Sequence, residues 1–83
     1  RELHGLRERA RKLGYRMRIT DGARQRLAAM GYERRYGARA LRRTLLDHVE
    51  EPLSALIIDG KLREGDTVVV ESDRSRGIRL RVA

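Results

Sequence analysis

The chain has 83 residues, 20 of them Lys or Arg and 12 Asp or Glu, for a net charge of +8. With no Cys, no Trp, no Phe and three Tyr, it can form neither disulfides nor thiolate metal sites, and its core has to come from Leu, Ile, Val, Ala and Met. No apolar run approaches the ~18 residues of a membrane span, and a domain this small buries only ~60–65% of its unfolded surface.

Leu3, Leu6, Ala10 and Leu13 recur at three- and four-residue intervals and predict one face of an amphipathic helix over 1–13. Gly14 is placed to end it. Tyr15, Met17 and Ile19 alternate with Arg16 and Arg18, the pattern of a half-buried strand. Thr20 or Asp21 can cap a second helix, whose inner face carries Ala23, Leu27 and Met30 and which Gly31 closes. Residues 31–37 have no period and form a loop. Leu41, Leu45, Val49, Leu53 and Leu56/Ile57 then make a long apolar stripe, which Pro52 interrupts. A proline inside a helix costs ~3 kcal/mol but little at its first position. Two helices, 38–50 and 52–59, are therefore predicted, meeting at a kink or break, with Gly60 after them. The run Leu56-Ile57-Ile58 is too apolar for one inward face, so part of it, with the first helix, is expected to touch something else. Arg63 to Asp66 is a turn. Residues 67–71 are a β-branched strand, Ser72 to Gly77 a polar turn, and Ile78, Leu80 and Val82 a second hairpin strand. The order α-β-α-α-α-β-β predicts an α+β domain, about four helices packed on one small three-stranded sheet, mixed or antiparallel.

Chemistry-bearing residues are sparse. His4 and His48 stand apart, no nucleophile constellation or metal-ligand spacing is present, and the Gly-x-x-x-x-Gly-Lys-Ser/Thr phosphate loop is missing. The segment Tyr36-Gly37-Ala38-Arg39-Ala40-Leu41-Arg42-Arg43 is the exception. It starts a helix, where unpaired N–H groups already amount to roughly +0.5 of a charge, yet it carries three arginines. Gly37 allows close backbone approach and Arg39 projects from the first turn, so an anion, phosphate above all, is expected there. The competing explanation pairs Arg39, Arg42 and Arg43 with Glu33, Asp47 or Glu50, Arg43 with Asp47 being an i, i+4 pair. A free-standing basic nucleic-acid-binding module is the alternative that the net charge supports.

Gly31-Tyr32, a short loop, Tyr36-Gly37-Ala38-Arg39, Leu41-Arg42-Arg43, Glu51-Pro52-Leu53, and Gly60 followed by Glu64-Gly65-Asp66-Thr67-Val68 resemble the C-terminal small domain of the second AAA+ module of Clp unfoldases, ClpB- and ClpC-type. The resemblance covers nearly the whole chain, 1–83, as a single lid domain of a larger protein, and the start at Arg1 rather than Met agrees with a fragment. It implies that Arg39 is the sensor 2 arginine, with Gly37 and Ala38 beside it, contacting ATP held with Mg²⁺ mainly by the preceding large domain. It implies a homohexamer, unfolded or aggregated protein substrates, a peptidase or co-chaperone, a cytoplasmic setting, no membrane and no nucleic-acid partner. Alone, without the phosphate loop, the chain is expected to be inactive. The family usually has Pro after Gly-Ala-Arg, where Ala40 stands here; alanine keeps the helix and loosens the fixed φ at its start.

Overall fold

In the structure, a computed structural model, residues 2–31 and 38–83 are described, those at 2, 3 and 38 by backbone alone. Helix α1 (Glu2–Lys12) buries Leu6 and Ala10. Its end is a Schellman motif: Tyr15 N–H donates to the Ala10 carbonyl (2.9 Å) and Gly14 N–H to that of Arg11 (3.0 Å). Gly14 sits at φ +95°, which a side chain would strain. Leu13, expected to face inward, falls at the C-cap, past the last full turn, and is 61% exposed; Leu3, for its side chain, lies outside the described residues.

Strand β1 (Arg16–Ile19) leads into α2 (Asp21–Gly31). Of the two candidate caps, Thr20 does the work: its Oγ1 accepts the Ala23 N–H at 3.1 Å. Ala23 and Leu27 are buried, with Met30 packed partly against them. Gly31 is not a left-handed stop. It is the last helical residue of α2, buried, and a Cβ there would lie 3.1 Å from the Leu41 Cα and 3.0 Å from its Cδ1. Its small size lets α2 and α3 (Ala38–Leu45) meet backbone to backbone.

Of the kink or break expected at Pro52, no break is found. Helix α3 runs without interruption through a π-helical segment (Leu46–Glu50) into α4 (Glu51–Ile58), so the predicted pair of helices is one rod, and the described residues form three helical rods. At the junction Glu51 N–H donates to the carbonyl of Leu46, five residues back. The wider turn absorbs the misfit that a proline ring creates with the carbonyl four residues before it. Pro52 follows directly, in the first turn of α4. Leu45, Val49 and Leu53 are buried along the rod, and Leu41, Leu56 and Ile57 pack partly against the core. Ile58 is 82% exposed. The rod closes with the same hydrogen-bond pattern as α1, Lys61 N–H to the Leu56 carbonyl (2.9 Å) and Gly60 N–H to that of Ile57 (3.1 Å).

Strands β2 (Thr67–Asp73) and β3 (Gly77–Val82) form an antiparallel hairpin, and β1 pairs parallel to β2, giving a mixed sheet in the order β1-β2-β3. The hairpin is longer than the polar sequence suggests. Ser72 and Asp73 stay in the ladder opposite Ile78 and Gly77, leaving only residues 74–76 in the turn. Met17, Val68, Val70 and Ile78 point into the helical layer and join the core cluster. Leu62, in the irregular segment after α4, is buried there too. Arg9 reaches from α1 to Glu50 at the end of the π segment, Nη2 to Oε1 2.8 Å. Among the described residues no helix is long and apolar enough to cross a membrane.

Candidate functional site

The site is the first turn of α3. A rod of three consecutive segments, locked at one end by Gly31 of α2 and along its length by Leu45, Val49 and Leu53, holds that turn beside α2. The turn contains no acid, so nothing on it offsets the positive end of the helix dipole. Arg39 is exposed there, and among the described residues it has no hydrogen-bond or ion-pair partner. Arg42 and Arg43 are exposed one turn further along. Ala40 continues the helix.

Glu50 is engaged by Arg9, and no ion pair joins Arg43 to Asp47 among the described residues. Gly37 and Glu33, with the rest of residues 32–37, lie outside the described residues, as does the side chain of Ala38. Arg39 and Ala38 are thus brought to one helix start. Pro52 stands thirteen positions after Arg39 along the same rod, and a groove of about 440 Å³ opens near that far end, between the rod and β3. It is lined by Asp47, His48, Pro52, Leu56, Ile78 and Leu80 among others, and His48 is half-buried there. No group of three His, Asp or Glu able to hold a metal ion occurs among the described residues.

Sequence inspection missed a second cluster. Arg16 and Arg18 of β1 and Arg79 and Arg81 of β3 share the sheet face turned away from the helices. Glu71 lies between the β3 pair, receiving Arg79 Nε at 3.1 Å and Arg81 Nε at 3.3 Å. The Arg79 hydrogen bond, more than any other influence, holds the Glu71 carboxyl below the usual carboxylate range, and Glu71 in turn raises Arg79. The alternation within each strand was visible in the sequence; which strands are neighbours was not.

Fold and site together define a small α+β domain, with three helical rods among the described residues on one side of a mixed three-stranded sheet and an arginine-bearing helix start whose first turn has no acid. The chain belongs to the family of the C-terminal, D2-small domain of ClpB protein, which matches residues 1–70. It is 37% identical over 65 residues to the chaperone protein ClpC4, chloroplastic, of Oryza sativa subsp. japonica, covering 78% of this chain and 7% of that protein. It is 35% identical over 68 residues to the chaperone protein ClpB of Wolinella succinogenes, covering 82% and 8%. It is 44% identical over 55 residues to the ATP-dependent Clp protease ATP-binding subunit ClpC of Staphylococcus epidermidis, covering 66% and 7%. The chain therefore spans less than a tenth of the length of these curated relatives, and corresponds to a C-terminal domain of Clp ATPases.

Proposed function

We propose that this chain is the lid domain of an ATP-driven protein unfoldase or disaggregase, and that Arg39 is its sensor 2 arginine. The observation that carries the proposal is the exposed guanidinium of Arg39, unpartnered among the described residues, on a helix start without an acid. A guanidinium offers two parallel donors to phosphate oxygens, and a helix N-terminus adds to the same field. ATP, supplied and held with Mg²⁺ mainly by a preceding large domain, provides the phosphoanhydride whose cleavage drives unfolding. The residues here fit the lesser part of that site: Arg39 would meet the γ-phosphate from the first turn of α3, with the backbone of Ala38 beside it, while Gly37, expected to stand next to them, lies outside the described residues. Charge gathering on the γ-phosphate oxygens in the transition state is what such an arginine offsets.

The same rigid rod that carries Arg39 would pass a change at the nucleotide to the angle between lid and large domain. Leu13 and Ile58, 61% and 82% exposed, are apolar surface suited to the large domain or to a neighbouring subunit of a homohexamer. Unfolded or aggregated proteins are then substrates of the whole assembly, with a peptidase or co-chaperone as its partner. In the protein that carries this domain, Arg39→Ala should leave the fold intact, as judged by circular dichroism. It should cut ATP turnover by ~10–1000-fold. Unchanged ATPase kinetics in a folded variant would remove the sensor 2 assignment.

A further inference from the structure

The sheet face opposite the helices has a composition that core formation does not require. Register places Arg18, Val69 and Arg81 in one row across the three strands, with Arg16 beside Thr67, and Arg79 beside Glu71. Val69 is 3% exposed although it belongs to the side without helices and outside the core cluster; the alkyl stems of the flanking arginines are what can roof it. The β3 pair is occupied by Glu71. Arg16 and Arg18 are exposed and have no partner among the described residues. The family match ends at residue 70, before Glu71, Arg79 and Arg81, so half of this face lies beyond it.

We propose that this face docks an extended, acidic segment of a partner protein, with Arg16 and Arg18 as the receiving pair. Two residues apart on one strand, their Cα atoms are about 6.6–6.8 Å from each other. An extended peptide repeats at the same spacing, so carboxylates at alternate positions meet one guanidinium each, in the forked geometry arginine favours. Glu71 holds Arg79 and Arg81 to one side, leaving β1 as the receiving strand. A nucleic acid fits less well. The strand-paired residues of this face include no aromatic ring on which a base could stack, and the two-residue spacing of Arg16 and Arg18 matches the repeat of an extended peptide. This inference is independent of Arg39, which lies on a different element.

The test is fluorescence anisotropy of a labelled octapeptide of alternating glutamate and threonine titrated with the 83-residue chain at about 50 and about 200 mM salt. The folded state of each protein is checked by circular dichroism. Saturable binding is expected, weakened about tenfold in Arg16→Ala/Arg18→Ala and unchanged in Arg24→Ala/Arg26→Ala, which removes the same charge from α2. Arg16→Lys/Arg18→Lys, which keeps the charge and loses the fork, should fall between, and it serves as the readout if the alanine pair does not fold. No saturable binding, or equal loss in the α2 control, overturns the proposal. So does tighter binding of an oligothymidylate that is abolished by the same β1 substitutions, since it would make the face a nucleic-acid surface instead.

Discussion

Gly5 and Gly31 both lie inside helices, and replacing each with alanine should move stability in opposite directions. In α1 a Cβ on Gly5 meets only the far end of Arg9, Nη1 at 3.7 Å. That is ordinary contact, so the variant keeps the helix-propensity gain of ~0.5–1 kcal/mol. At Gly31 the new methyl would sit 3.0 Å from Leu41 Cδ1, 3.1 Å from Leu41 Cα and 3.4 Å from Thr44 Oγ1. The Cδ1 can rotate away. The Cα cannot move unless α3 as a whole retreats by a few tenths of an ångström, and Leu45, Val49 and Leu53 anchor the rod of which α3 is part. Overpacking of this kind costs ~1–3 kcal/mol. Set against a propensity gain of at most ~1 kcal/mol, which is smaller at a helix end, the net loss for Gly31→Ala is ~0.5–2 kcal/mol. For a domain of this size each kcal/mol shifts the melting temperature by about 4–8 °C. Thermal and urea unfolding followed at 222 nm should therefore separate the two variants by several degrees, Gly5→Ala above the parent and Gly31→Ala below it. If Gly31→Ala proves as stabilised as Gly5→Ala, α2 and α3 do not touch backbone to backbone, and the placement of the α3 start, with Arg39 on it, loses its main support.

Two further expectations concern local hydrogen bonds. Thr20→Ala deletes the acceptor of the Ala23 N–H and should cost ~1 kcal/mol in urea unfolding, most of it restored by Thr20→Ser; an unaffected Thr20→Ala would mean that α2 is capped otherwise. Glu71 is a carboxylate held below its ordinary value of 4.5 by Arg79 and Arg81, so the folded state binds its proton less readily than the unfolded chain. Its stabilising contribution is accordingly complete at neutral pH, begins to fade as pH drops through the unfolded value, and is gone below the folded one. Glu71→Gln should flatten that part of the acid limb in unfolding curves recorded from pH 7 downward; identical acid limbs in parent and variant would show that the ion pairs do not form in solution.

Local periodicity carried much of this fold. The spacing of Leu41, Leu45, Val49 and Leu53 marks one continuous helical face, and Met17, Ile78 and Leu80 alternate as half-buried strand residues should. What misled was punctuation, because Gly and Pro have more than one physical use. Gly14 and Gly31 look alike in sequence, each following a helical stretch. One takes a positive φ and the other makes room for a neighbouring helix, and only the presence of Leu41 against it tells them apart. Pro52 reads as an interruption until the π turn before it is seen to accommodate the ring. Leu62 belongs to no period, so nothing in the sequence marks it as core.

The two candidate sites differ in the same way. Arg39 is recognisable because its meaning is local: a cation in the first turn of a helix is unusual whatever the rest of the chain does. The arginine face is not, because its meaning depends on pairing. Arg16 and Arg18 are separated by about fifty residues from Val69, and by more than sixty from Arg79 and Arg81. Only the parallel register of β1 on β2 makes them one surface. In an antiparallel arrangement with β1 beside β3, the same alternation would set two arginine pairs directly against each other, with no Val69 and no Glu71 between them. Like charges facing across adjacent strands are destabilising. Placing β2 in the middle separates the pairs by two strand spacings, about 10 Å, and supplies a carboxylate for one of them. The crossover through α2 and the long rod is thus what makes a sheet face with four arginines tolerable, and it leaves the β1 pair as the part still seeking a counter-charge.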